Sequence, residues 1–460
     1  MMDINTNPGK EKMKYNRRYT VLTALIVALG GFLLGFDSAV ISGAVPFIKS
    51  YFVLNDIQLG WSVSCLILGA MVGNAFAGPV SDRIGRKSTL IITSVLFTIS
   101  AITSALAFNF WFFILARILG GIGVGGAILI APIYIAEIAP AEKRGKLVSF
   151  NQLNIVIGIS AAYFSNYFLL ETGQNNWRWM LGIEAIPALI YFAALFTVPP
   201  SPRWLYKQGM KLQARIILEK VGGTDYAKTC MQEIQESFSR EHSKSSFASL
   251  FSKKYGFILF IGLTIAFFQQ ITGINAVMYY APTIFEQAGG ETKAAFMQAV
   301  AVGLTNLIFT IIAVNLIDRL GRRTLLIVGA AGMSLALMIL GISFNKPVEE
   351  VNTVVVLSSI LLYVASFAVS FGPVMWALLS EIFPNIIRGI AISMVGFFNS
   401  LVSFSVTLVF PWELSQIGPS GTFFIYGGMA LFSLLFALFF VPETKGKSLE
   451  QLERDLIREK

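Results

Sequence analysis

Cysteine and histidine are nearly missing from this chain. Its 460 residues include two cysteines, Cys65 and Cys230, and one histidine, His242. Cys65 falls in an apolar stretch and Cys230 in a polar one, which argues against a disulfide, and no CxxC-type metal site is present. A single histidine in a polar segment excludes a histidine-built metal cluster, so no metal and no cofactor is expected. Charge is scarce too: 13% of residues are Asp, Glu, Lys or Arg, about half of what a soluble domain carries. No cleavable leader is evident. Residues 1–19 are polar and basic, and the apolar run that follows is too long for a signal-peptide core.

What is abundant is apolar length. Hydrophobic residues make up 55% of the chain and the mean hydropathy is +0.69. The expected class is an all-α membrane protein. Twelve stretches have the length of a transmembrane helix: about 20–45, 57–79, 88–107, 111–133, 147–169, 179–198, 256–286, 294–317, 323–343, 353–379, 388–411 and 421–441. Between the sixth and seventh lies a polar segment, about 200–254. Within it "KLQARIILEKVGG" has helical spacing and a Gly-Gly stop, which predicts short amphipathic helices.

The net charge of +9 could suggest nucleic acid; membrane topology explains it better. With both termini inside, the outer loops hold only Lys49, Arg178, Lys293 and Lys346 of the 35 basic residues, and Arg117 falls within a span. That asymmetry satisfies the positive-inside rule. No nucleic-acid partner is expected, only the lipid bilayer.

The chain repeats itself. "SDRIGR" at 81–86 returns as "IDRLGR" at 317–322, "AEIAPAEKRG" at 136–145 as "SEIFPNIIRG" at 380–389, and "VPPSPR" at 198–203 as "VPETKG" at 441–446. Each copy follows the second, fourth or sixth span of its half, so the repeat is parallel, related by an axis along the membrane normal. The expected organisation is a tail (1–19), a six-helix bundle (20–199), a helical linker (200–254), a second six-helix bundle (255–442) and a tail (443–460). Such tandem halves suit a molecule that moves one half against the other, although a duplicated scaffold would look alike.

Three ionisable residues interrupt the apolar spans of the first half: Asp37, Arg117 and Glu184. Counted from the span ends at 1.5 Å per residue, each lies roughly 9–13 Å below the outer surface. Isolated, each is costly; together they can compensate one another. They form either a static triad that fixes packing or a proton site in which a changing Asp–Arg distance switches proton affinity. The spans also carry Gln152, Gln269, Gln270, Asn275, Asn306, Trp376 and Asn399. Any one of these amides could simply bridge helices. As a set, amides match sugar hydroxyls, each both donor and acceptor, and an aromatic face covers a sugar ring. Gly372 and Pro373 should bend the tenth span.

The two DRxGR loops, the two E…RG loops, "SPR", "PETKG" and "FFQQITGINAVMYYAP" (267–282) together resemble the sugar porter family of the major facilitator superfamily, with its bacterial sugar–proton symporters and animal glucose facilitators, over about residues 20–450. The resemblance implies alternating access by two six-helix bundles around one sugar, without an enzymatic step. It implies that Gln152, Gln269, Gln270, Asn275, Asn306, Trp376 and Asn399 contact the sugar, and that Tyr279 and Tyr280 form an extracellular gate. It further implies that Asp82, Arg83, Arg86, Glu137, Arg144, Asp318, Arg319, Arg322, Glu381 and Arg388 form a cytoplasmic latch. Asp at position 37 matches the family's proton symporters, so Asp37, Arg117 and Glu184 are expected to couple a proton. The chain departs from the pattern at Leu34, Ile159 and Ser400 in the pocket, and at Pro200, where the family usually has glutamate. The expected function is import of a monosaccharide with a proton across the bacterial inner membrane, by a protein for which a monomer suffices; the alternative is a sugar or polyol uniporter. An intramembrane enzyme would need a Ser/His, Asp/Asp or metal constellation, and a receptor would bind without a cycle.

Overall fold

The computed structural model describes residues 15–140, 143–239, 250–252, 254–384, 386–447 and 449–456; His242 lies outside them. Among the described residues, twelve helices are long and apolar enough to cross a membrane. In chain order they are Arg17–Tyr51, Asp56–Ile84, Arg86–Ala105, Phe110–Ile138, Arg144–Leu169, Asn176–Leu195, Gly256–Tyr279, Thr292–Leu320, Arg322–Ser343, Thr353–Ile382, Arg388–Gln416 and Gly418–Phe439. Each overlaps one expected stretch. Several run a turn or more further, because charged and polar ends continue the helix beyond the apolar segment: Arg17 to Thr20 at the start of span one, Asp82 to Ile84 at the end of span two.

Proline and glycine break three of the spans. Span six divides at Ile183–Glu184, between Asn176–Gly182 and Ala185–Leu195. Pro187, having no N–H, cannot bond the carbonyl of Ile183, which instead accepts from Ile186 N at 3.1 Å. Span ten breaks at Ser370 (φ −123°, ψ −97°), one turn before Pro373, whose ring clashes with a helical carbonyl four residues back. In span seven the break is at Gly273, in the left-handed region (φ +86°) that costs an L side chain and not glycine. Beyond it, Ile274–Tyr279 and Ala281–Gln287 are separate short helices.

Spans one to six pack into one half and seven to twelve into the other. Span one lies tightly against span five, since Gly35 and Gly158 each present bare backbone to the other's helix; a Cβ on either would overlap a main-chain carbonyl. This is the small-residue packing that lets membrane helices approach closely. Span two meets span eleven and span five meets span eight across the halves.

The linker holds Pro202–Lys207 and Lys211–Ser239. The Gly-Gly pair, expected to stop a helix, makes a kink at Gly223 (φ +84°) after which the helix resumes. The reason is tertiary: Leu218 and Val221 before the kink, and Tyr226 and Ala227 after it, are all buried against the first half.

Candidate functional site: a polar cavity beside a buried ionic triad

A cavity of about 290 Å³ lies between the halves, walled by spans one, five, seven, eight and ten. Gln152, Asn275, Asn306 and Tyr279 line it, with Leu34, Ser38, Ile159, Thr310 and the Gly372–Pro373 pair. A side lobe of about 150 Å³ shares Ser38, Asn275 and Tyr279 and extends between Leu66 and Ala70 of span two and Gln270, Asn399, Ser400 and Ser403. Three of the departures from the family pattern, Leu34, Ile159 and Ser400, are therefore wall residues.

The amides of the second half form a network before any ligand arrives. Asn399 Nδ2 donates to Gln269 Oε1 at 2.8 Å and to the carbonyl of Ala266 at 3.0 Å. Gln269 Nε2 donates to the carbonyl of Phe371 at 2.8 Å, at the start of the second segment of span ten. Gln270 Nε2 reaches Asn399 Oδ1 at 3.2 Å, and Asn275 Nδ2 donates to Gln270 Oε1 at 2.9 Å and to Ser403 Oγ at 2.7 Å. Asn275, two residues past the helix break, is thus held in the cavity wall by two partners. The network fixes which faces of Gln270 and Asn275 remain for a ligand, and preorganised polar groups lose less entropy on binding.

Trp376 stands apart. It is 45% exposed, lies near Gly396 of span eleven, and is not in the cavity wall. The two tyrosines also separate. Tyr279 lines both lobes and pairs with Ser38. Tyr280 is buried, packed on Phe410 with ring centroids 5.2 Å apart.

Asp37, Arg117 and Glu184 come together as their estimated depths require, and all three are buried. One Arg117 nitrogen bonds Asp37 Oδ1, the other the Asp37 carbonyl at 3.2 Å. Glu184 lies beside both. Asp37 Oδ2 and Glu184 Oε1 have no donor. Two carboxylates against one guanidinium carry one excess negative charge, so the cluster is neutral only with one proton added. The triad lies next to the cavity: Ser38, which follows Asp37, lines the cavity with Tyr279.

At the end of the molecule that holds the linker, the repeated loops make matching clusters. Arg86 bridges Asp82 at 2.8 Å and Glu137 at 3.1 Å, and Ser201 Oγ donates to Glu137. Arg322 bridges Asp318 at 3.2 Å and Glu381 at 2.7 Å, and Thr444 Oγ1 donates to Glu381. Each cluster lies within its own half. Of the remaining positions, Arg388 donates to the carbonyl of Phe383 at 3.0 Å, and the carbonyl of Arg319 accepts from Lys445 at 2.6 Å; Arg83 is exposed on span two and Arg144 begins span five. The glutamate replaced by Pro200 has its counterpart in Glu443, which accepts from the backbone N–H groups of Arg322 (3.0 Å) and Arg323 (3.2 Å). The first-half ion pairs form without it, and what the proline removes is the cap on span three. There Trp204 covers Gly85 instead, donating to the Asp82 carbonyl at 3.0 Å.

The contacts that join the halves lie at the opposite end. Lys293 pairs with Glu171 at 2.7 Å, Tyr163 donates to the Met278 carbonyl at 2.5 Å, Ser160 donates to the Gly303 carbonyl at 3.0 Å, and Trp61 meets Phe404 edge-on at 5.5 Å. The cavity is closed toward that end. Ser38, Ser403, Thr310 and Tyr163 were not legible as site residues, since a lone hydroxyl in an apolar span has no distinguishing spacing; only for Ser38 did adjacency to Asp37 offer a signal.

The family model described as sugar (and other) transporter matches residues 23–456. The chain belongs to this family. It is 40% identical to the D-xylose-proton symporter of Escherichia coli over 96% of each chain, and 39% identical to the glucose transport protein of Synechocystis over 98% of this chain and all of that one. Among solved structures it resembles the inward-open xylose transporter XylE from E. coli, with a TM-score of 0.85 and 39% identity over 95% of this chain and all of that one. The sugar porter resemblance drawn from the motifs and the twelve-helix major facilitator fold therefore hold.

Proposed function

We propose that this protein imports a monosaccharide together with a proton by alternating access across the bacterial inner membrane, with both termini in the cytoplasm. The observation that carries the reading is the buried Asp37–Arg117–Glu184 cluster directly beside an amide-lined cavity of sugar size. The relatives support it: one is a xylose–proton symporter and another a glucose transport protein, both carriers of monosaccharides. The cavity is built from one chain, so a monomer suffices. The linker end is then cytoplasmic, and the structure corresponds to the inward-facing state.

In this reading Gln152, Gln270, Asn275 and Asn306 offer the sugar paired donors and acceptors, and Gln269 and Asn399 orient Gln270. Trp376 joins the sugar only in states where span ten closes on span eleven. Tyr279 forms the gate's inner surface, and Tyr280 supports it from behind. A proton taken by the carboxyl pair loosens the hold of Arg117 on Asp37, and span one, freed from that bond, rearranges against span seven. The clusters at Asp82–Arg86–Glu137 and Asp318–Arg322–Glu381, with Arg83, Arg144, Arg319 and Arg388 around them, keep each half rigid at the cytoplasmic face and meet when that face closes.

The test is sugar uptake into proteoliposomes with and without an inward proton gradient. Stimulation by the gradient supports symport. Equal uptake makes the protein a uniporter, and binding without any flux makes it a receptor.

A further inference from the structure

The short helix Ile274–Tyr279 carries four cavity residues, Ile274, Asn275, Met278 and Tyr279, and its backbone joins the rest of span seven through the glycine break. Asn275 ties its cavity side to Gln270 and Ser403; its other side rests on packing. Behind it stands a column of buried rings. Tyr426 of span twelve fills the space that a side chain at Gly273 would occupy. Tyr426 stacks on Phe410 of span eleven with centroids 6.1 Å apart and planes 19° from parallel, and Phe410 packs on Tyr280 at 5.2 Å. Tyr280 ends the short helix. The same column thus touches both ends of the segment. Tyr363 of span ten completes it by donating to the Thr272 carbonyl at 2.8 Å, one of the acceptors freed by the break.

Tyr280 and Tyr363 bond main-chain carbonyls, and Tyr426 bonds a carboxyl side chain. Tyr426 Oη donates to Glu413 Oε2 at 2.6 Å. Glu413 is half-buried near the end of span eleven, and neither the sugar site nor the proton triad uses it. A buried hydroxyl needs a partner, and a charge-assisted bond is stronger than a neutral one. Without it, Tyr426 has only packing to keep its ring under Gly273.

We propose that Glu413 is a positioning residue: through Tyr426 it fixes the Gly273 break and so holds Ile274–Tyr279 in the position that closes the cavity at the end opposite the linker. It touches neither sugar nor proton. Its part in transport rests on the reading above, but its hold on the closed end does not.

Spin labels on cysteines placed at Glu171 and Lys293, which face each other across the halves and are exposed, report opening of that end. The background is Cys230→Ser, Cys65 being buried. The doubly labelled parent should give mostly the short distance. Glu413→Leu and Tyr426→Phe should each raise the long-distance population at least threefold in protein that still folds. Glu413→Gln, which keeps an acceptor oxygen, should resemble the parent, and the Glu413→Leu/Tyr426→Phe double variant should go no further than either single one. Because Tyr426→Phe removes one oxygen and keeps the ring, it remains informative if Glu413→Leu fails to fold. Parent-like distances in Tyr426→Phe would overturn the proposal, as would Glu413→Gln opening the end as far as Glu413→Leu. No sugar or proton gradient is needed, so the outcome is separate from whether the protein is a symporter.

Discussion

Asp37 and Asn275 illustrate two ways in which a polar residue survives inside an apolar bundle. Asn275 is satisfied by neighbours of its own kind, and a ligand hydroxyl can replace or extend those bonds at little net cost. Removing such an amide leaves a buried partner unpaired. Gln270→Ala and Asn275→Ala should therefore each weaken monosaccharide binding by about 1–3 kcal/mol, as read by calorimetry on folded protein. Unchanged affinity would take them out of the site. Asp37 is different, since its partner is a charge. Asp37→Asn holds the triad in its neutral form: sugar binding and exchange across the membrane should persist, while accumulation driven by a proton gradient should be lost. A variant that still accumulates sugar like the parent would place the proton elsewhere. Arg117→Ala should be worse tolerated, because it leaves two buried carboxyl groups without the guanidinium that pairs with Asp37; removing one partner of a buried ion pair costs about 3–5 kcal/mol, visible as a lowered melting temperature.

At the scale of elements, the twelve spans were legible because twenty apolar residues have few other fates, and the internal repeat exposed the matching loops. The breaks were legible only in part. Pro373 signalled the bend in span ten, but the break falls at Ser370, where the proline's missing bond and ring act. Nothing local marked Gly222–Gly223 as a kink and not a stop; burial on both sides of it decided that. The triad was legible from depth alone, since helices of fixed rise place charges predictably. The placement of Trp376 was not, because it depends on how the broken span ten packs beside span eleven, which no single span encodes. The loss of glutamate at Pro200 yields a test at this scale. Span three begins without the carboxylate that caps span nine through Arg322 and Arg323. Pro200→Glu should restore two backbone bonds and a favourable charge at a helix N-terminus, adding about 0.5–2 kcal/mol. Thermal melting in detergent checks this; a lower melting temperature would mean that the proline's own rigidity matters more than the cap.

For the whole molecule, the decisive quantity is the balance between closing one end and closing the other. The structure has the end opposite the linker shut, and glycine makes that possible. Gly60 of span two lies so close to Leu408 of span eleven that a Cβ would overlap its main-chain carbonyl. In a state with that end open the two spans separate, and a side chain at 60 meets nothing. A larger residue thus penalises one state only, and a perturbation shifts an equilibrium by its differential cost alone. Overpacking of this kind costs about 1–3 kcal/mol, roughly 5- to 150-fold against the closed form. Gly60→Leu should accordingly retain sugar binding, lengthen the distance between labels at positions 171 and 293, and lose most sugar exchange in proteoliposomes, because every cycle must pass through the form that the leucine obstructs. If Gly60→Leu exchanges sugar at the parent's rate, the close approach of spans two and eleven is no part of the cycle, and closure at that end must come from span seven alone.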